Sequence, residues 1–149
     1  MTDDLLCLKR MLVGEGLRVA TAESCTGGSL ADALTSIPGS SDYFVGGVVA
    51  YSVEVKVGVL GVNPETVEQF SVYSYQVVEE MAEGIRRLTG ADVAIATSGE
   101  FNGEGYFYYC ILHPRGKDTG RVVVEGSRRE MKGEAVRYIL RRLLKVIAT

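Results

Sequence analysis

The stretch Thr21-Ala22-Glu23-Ser24-Cys25-Thr26-Gly27-Gly28 constrains this chain most. It follows a short apolar run, Leu17 to Ala20, and precedes an amphipathic one, Ser29 to Leu34. A strand, a tight turn and a helix start must therefore follow each other closely. A serine in that turn sits at the positive end of a helix, among backbone N–H groups that lack helical partners. Such groups can hold a developing oxyanion, so Ser24 reads as a candidate nucleophile. It also reads as a helix cap, the more frequent use of Ser and Thr at such places.

A second corner supplies what a serine needs. Gly46-Gly47-Val48-Val49-Ala50-Tyr51-Ser52 has the pattern of a buried strand ending in polar residues, and Val53-Glu54-Val55-Lys56 continues as a helical turn. A lysine whose pKa is lowered by burial can take the proton of a serine, and a tyrosine hydroxyl can relay it. Tyr51 and Lys56 leave one strand-to-helix corner and can converge on a serine at the mouth of a neighbouring strand. By themselves, Tyr and Lys at a strand end are more often structural.

These segments together carry a resemblance. The Thr21–Gly28 octet, Ile37-Pro38-Gly39-Ser40-Ser41, Gly46 to Ser52, Lys56 and Leu60-Gly61-Val62 resemble the competence-damage-inducible (CinA) C-terminal domain family. The likeness runs from about Leu5 to the C-terminal helix, one domain over residues 1–149. It implies a nicotinamide mononucleotide deamidase, a nicotinamide-nucleotide amidase of the cytoplasm that forms oligomers. It implies Ser24 as nucleophile with Tyr51 and Lys56 as activating partners, and needs no metal or organic cofactor. Substrate contacts are implied at Cys25, Thr26, Gly27, Gly28, Gly47, Ser98, Gly99 and Arg128. Gly126-Ser127-Arg128 resembles a family segment that helps hold the nucleotide; Arg128 and Lys132 would attract its phosphate, whereas Ser127 also reads as a plain cap with solvated basic neighbours.

The second half departs from the pattern. Ala94 to Gly99 matches a family strand and the start of a Gly-rich motif, but the chain then runs Glu100-Phe101-Asn102-Gly103-Glu104-Gly105 straight into the next strand. The Gly-rich turn that would offer N–H groups to an anion is missing. Glu100 and Glu104 are expected to repel a phosphate and weaken nucleotide binding. The alternative readings are a non-catalytic small-molecule binding module, or a hydrolase of a different amide.

Composition excludes other classes. The 149 residues, 46% hydrophobic and 23% charged, suit one ordinary domain. A net charge of −3 argues against nucleic-acid binding. No apolar run approaches the ~20 residues of a membrane span, and Asp3 and Asp4 stand where a signal sequence would be basic. Cys7, Cys25 and Cys110 show no metal-ligand spacing, and their odd number fits a reducing, cytoplasmic setting. Cys25 adjoins Ser24, but the single histidine, His113, reads as a turn residue beside Pro114, so neither a Cys–His pair nor a Ser–His–Asp triad is expected.

The periodicities predict helices over Asp3 to Glu15, Thr26 to Ser36, Ser52 to Leu60 and from Ser74 to Gly90, a short helical turn opened by Pro64, and a last helix from about Arg128 to Ile147. Strands are predicted over Arg18–Ala22, Phe44–Tyr51, Ala91–Ser98 and Gly105–His113, with a turn at Arg115–Asp118 and a hairpin partner over Arg121–Glu125. The aromatic run Tyr106 to Tyr109 should alternate faces. The predicted fold is a single-domain α/β/α layered structure with a mixed, mostly parallel sheet and a hairpin near the C-terminus.

Overall fold

The computed structural model describes residues 1–148. Strands β1 (Val19–Glu23), β2 (Phe44–Val49), β3 (Val93–Glu100), β4 (Gly105–His113) and β5 (Gly116–Val124) form one sheet in the order β2-β1-β3-β4-β5. β2, β1 and β3 are parallel; β4 runs antiparallel to β3, and β5 to β4. Four strands thus point one way and β4 alone reverses. Helices α1 (Thr2–Glu15), α2 (Ser29–Leu34) and α6 (Arg128–Ala148) lie on one face, and α5 (Tyr75–Thr89) on the other. Between β2 and α5 come two short helices, α3 (Val53–Gly58) and α4 (Pro64–Phe70). This is the α/β/α architecture with a mixed sheet that the sequence predicts.

Alternation along the strands decides how closely each layer packs. Val19, Val93, Ile95, Phe107 and Ile111 face α1, α2 and α6, whose leucines and isoleucines fill a thick core. Ala20, Ala22, Ala94, Ala96 and Cys110 face α5. These small side chains let α5 sit close to the sheet. The closeness extends to Gly84 of α5, where an added Cβ would stand 2.0 Å from the Leu60 carbonyl oxygen. In the aromatic run, Phe107 and Tyr109 are buried against Tyr138 of α6, and half-buried Tyr106 and Tyr108 meet Tyr73 and Tyr75 on the α5 side.

Several boundaries differ from the sequence reading, and three of the differences have a clear physical cause. α2 begins at Ser29 rather than Thr26, because Gly27 (φ 60°) and Gly28 (φ 101°) hold the chain in left-handed conformations and prolong the turn. The turn at Pro64 is a full short helix, capped by the Asn63 side chain, which accepts from Glu65 N–H at 2.9 Å. β5 starts at Gly116, so the hairpin turn is only Pro114-Arg115. The charged residues there are held as strand because each has a partner: Lys117 and Thr119 bind Glu79 of α5, and Asp118 binds Arg142 of α6.

The Gly84 contact yields a test. Gly84→Ala should destabilise the fold by about 1–3 kcal/mol in urea titration despite its better helix propensity. Gly58→Ala, where the new methyl meets nothing within 4 Å, should be neutral or stabilising. Equal stability of the two variants would contradict the close packing of α5.

Candidate active site

β1 lies at the centre of the parallel half of the sheet. The connection to β2 passes through α2 on one face, and the return to β3 passes through α5 on the other. Beyond the carboxyl ends of β1 and β3 the connections diverge, which is where α/β sheets open a ligand crevice. Ser24 stands there, directly after β1. Its backbone N–H donates to the Thr97 carbonyl oxygen at 3.1 Å and approaches Thr97 Oγ1 at 3.3 Å.

Lys56 enters from the neighbouring strand end. Ser52 caps α3 by accepting from Val55 N–H, and the helix turns Lys56 inward, leaving it 1% exposed. Its Nζ is hydrogen-bonded to Ser24 Oγ at 2.9 Å, to the Ala50 carbonyl at 2.8 Å and to the Tyr51 carbonyl at 3.3 Å. No carboxylate pairs with it among the described residues, whose ion pairs lie elsewhere. Burial therefore lowers the Lys56 pKa from its ordinary 10.5, and only a charged Cys25 would oppose this. Cys25 does not supply that charge, because burial pushes its thiol up to about 12. A neutral amine fits its three neighbours: two N–H groups for the two carbonyls, and a lone pair for the Ser24 hydroxyl.

Ser24 and Cys25, with Lys56, form the buried end of a cavity of about 190 Å³. Buried Gly99 and half-buried Tyr73 and Glu100 also line it, and exposed Tyr51, Asn102 and Arg128 stand at its mouth. Tyr51 is 60% exposed, and its hydroxyl accepts from Arg128 Nη1 at 3.3 Å rather than meeting Ser24. Of the two activating partners read from the sequence, Lys56 contacts Ser24 directly, while Tyr51 contributes its carbonyl to Lys56 and turns its hydroxyl to Arg128. Arg128 Nη2 also donates to Asn102 Oδ1 at 2.5 Å. Ser127 and Glu130 form a reciprocal cap at the start of α6, so the cap reading of Ser127 holds while Arg128 turns to the cavity mouth.

The other residues singled out in the sequence stand outside the cavity lining. Thr26 is buried and donates from Oγ1 to Glu23 Oε1 at 2.6 Å. Gly27 lies under Lys132, whose Nζ would be 3.1 Å from a Cβ there, and Gly28 packs against Val49. Gly47 leaves room for the Thr21 side chain, whose Oγ1 would be 2.3 Å from an added Cβ. Ser98 points to the α5 side and donates to the Val72 carbonyl at 3.0 Å. Glu104 is exposed in the β3–β4 loop. His113 lies at the far end of β4, where its Nδ1 accepts from Arg115 N–H. Among the described residues no three His, Cys, Asp or Glu side chains gather as a metal site, and no helix is long and apolar enough to cross a membrane.

Comparison with known proteins shows the family. The profile of the CinA C-terminal domain matches residues 6–147. The chain belongs to the CinA C-terminal domain family. A CinA-like protein of Flavobacterium psychrophilum is 37% identical over 148 residues, covering 94% of this chain but 35% of the relative. A putative competence-damage inducible protein of Desulforamulus reducens is 39% identical over 139 residues, 89% of this chain and 34% of the relative. The chain thus spans about a third of the length of these relatives. A crystal structure of a CinA superfamily protein from Klebsiella pneumoniae matches with a TM-score of 0.94 at 34% identity, covering 98% of this chain and 96% of that one. A competence/damage inducible protein of Agrobacterium tumefaciens matches with a TM-score of 0.86 at 30% identity, covering 99% and 96%.

In this CinA domain, the sequence reading missed the group that shapes the serine turn. Glu23 is 1% exposed, and its carboxylate accepts from Thr26 Oγ1, from Leu30 N–H at 2.8 Å and from Ala31 N–H at 3.0 Å. It therefore occupies the N-terminus of α2. Among the described residues, the turn N–H groups of Thr26 and Gly28 have no protein acceptor. The available signal was an acidic residue closing an apolar strand just before a helix start, where the helix dipole favours it. Thr97, which ties Ser24 and Thr26 to β3, gave no signal, since its role depends on strand register.

Glu23→Ala should destabilise the CinA domain by about 1–3 kcal/mol for each donor it strands. Urea unfolding checks this, with Glu23→Gln, which keeps an acceptor oxygen, expected in between. An unchanged midpoint in Glu23→Ala would mean the carboxylate is not the clamp.

Proposed function

We propose that this chain is a serine amidohydrolase that deamidates nicotinamide mononucleotide to nicotinate mononucleotide and ammonia. The carrying observation is the 2.9 Å contact of Lys56 Nζ with Ser24 Oγ at the buried end of a cavity, with no counter-charge on the lysine. Neutral Lys56 takes the Ser24 proton as Oγ attacks the carboxamide carbon. The resulting ammonium gives that proton to the departing nitrogen, and ammonia leaves an acyl-serine. Lys56, neutral again, deprotonates a water that attacks the ester carbonyl, and returns the proton to Ser24. The donor for the oxyanion is the turn backbone at Cys25, which lines the cavity beside Ser24, because Glu23 already occupies the Leu30 and Ala31 N–H groups of α2. Every group in this scheme comes from one chain.

The cavity volume supports a ring rather than a whole nucleotide inside, since pockets enclosing drug-sized ligands run to about 300–1,000 Å³. The carboxamide ring would enter and the ribose phosphate would lie across the mouth by Arg128. The small volume and the short Glu100–Glu104 loop favour one second reading, hydrolysis of a smaller carboxamide without a phosphate.

Incubation with nicotinamide mononucleotide, following ammonia and the deamidated product together, tests the reaction. Ser24→Ala should lower kcat by about four powers of ten or more while keeping the native melting curve. The native kcat/KM should rise with pH and level off above the depressed Lys56 pKa, because only the neutral amine accepts the proton. Full activity in Ser24→Ala, or a rate that falls as pH rises through the neutral range, would defeat the assignment.

A further inference from the structure

The charges along the cavity are ordered by depth. The buried end holds the Ser24–Lys56 pair, both under 6% exposed. At intermediate depth stands one carboxylate, Glu100, at the end of β3. At the exposed mouth stands one guanidinium, Arg128, fixed by Asn102 and Tyr51. Glu100 and Arg128 line the same cavity but do not pair with each other, and the Glu100 carboxylate has no ion-pair partner among the described residues. Its charge is felt by the rings around it: burial first, and then Glu100, raises the Tyr73 and Tyr106 phenols. The Tyr106 ring is already covered by the Arg121 guanidinium at 4.5 Å, but an unpaired carboxylate beside the Tyr73 ring in the cavity wall is a site for an organic cation.

We propose that Glu100 is a specificity-determining residue that selects carboxamides on a positively charged ring, such as a quaternary pyridinium, over those on a neutral ring. This rests on the amidohydrolase reading above and names the substrate class of that site. With the carboxamide at Ser24, a ring-bound cation falls at the depth of Glu100, and an anionic substituent beyond it falls at Arg128. The order amide, cation, anion in the ligand then matches amine, carboxylate, guanidinium in the protein. The short loop after Gly99 is thereby not only a lost phosphate cradle. It brings a carboxylate to the ring, and Glu104, exposed and off the lining, takes no part.

The test uses two ligands without phosphate, so that Arg128 does not contribute: 1-methylnicotinamide, a cationic ring, and nicotinamide, a neutral one. Binding is measured by calorimetry on the whole chain carrying Ser24→Ala, which prevents turnover. The cation should bind about tenfold more tightly, and that preference should vanish in the added Glu100→Gln and persist in Glu100→Asp. Glu100→Gln in the active chain should also raise KM for nicotinamide mononucleotide; repulsion of the phosphate by Glu100 predicts the opposite sign. Equal affinity for the two rings, including no binding of either at millimolar concentration, or a preference that survives Glu100→Gln, overturns the inference. Ammonia release from nicotinamide mononucleotide by a chain with no ring preference would leave the amidohydrolase reading standing while removing this one.

Discussion

The site depends on one buried amine. Lys56 Nζ binds Ser24 from the end of β1 and the carbonyls of Ala50 and Tyr51 from the end of β2. Burying an ammonium with no carboxylate partner is costly, and burying a neutral amine is tolerable only with its polar atoms bonded. The same three contacts therefore do two things. They hold two strand ends in register at the cavity, and they keep the amine in the buried position where desolvation lowers its pKa toward the uncharged state that can accept a proton. Burial of the amine is possible because α3 is capped at Ser52 and turns its one inward residue toward Ser24.

A second buried group, Glu23, acts on the opposite side of the serine. By taking the N–H groups of Leu30 and Ala31 it spends the positive end of α2 within the protein. The turn from Cys25 to Gly28 is then lifted clear of the helix, with left-handed glycines giving it shape. Basic and acidic functions are thus separated: Lys56 faces the serine hydroxyl, while Glu23 faces the backbone behind it. Thr97 of β3 joins both sides by binding Ser24 N–H and Thr26 Oγ1, so the parallel pairing of β1 with β3 becomes part of the site.

Most of the fold was legible in local pattern. The Leu5, Leu8 and Leu12 stripe, the Ser74 cap, the apolar run of β3 and the alternating Tyr106–Tyr109 run each carry their conformation in a few residues. Ser24 and Lys56 were candidates from their strand-to-helix corners, where a cap and a structural lysine are the more frequent uses, and the family resemblance joined them. What escaped depends on partners distant in the chain. The start of β5 reads as a turn until Glu79 and Arg142 supply partners for Lys117, Thr119 and Asp118. The Tyr51 hydroxyl reads as a relay until Arg128, 77 residues away, claims it. Glu23 stands just past the strand read over Arg18–Ala22, and its clamp exists only once folding brings the carboxylate to the Leu30 and Ala31 N–H groups.

The state of the Lys56 amine is the central claim, and side-chain 15N NMR measures it directly. With lysine Nζ labelled, Lys56 should titrate below the ordinary lysine value of 10.5, giving an amine signal where Lys117, whose pKa is raised by Glu79, is still an ammonium. The Ser24→Ala variant identifies the resonance, since losing the hydroxyl partner must shift it. A Lys56 signal that remains an ammonium until it titrates together with Lys117 would contradict the account, because that amine would have no lone pair to receive the serine proton.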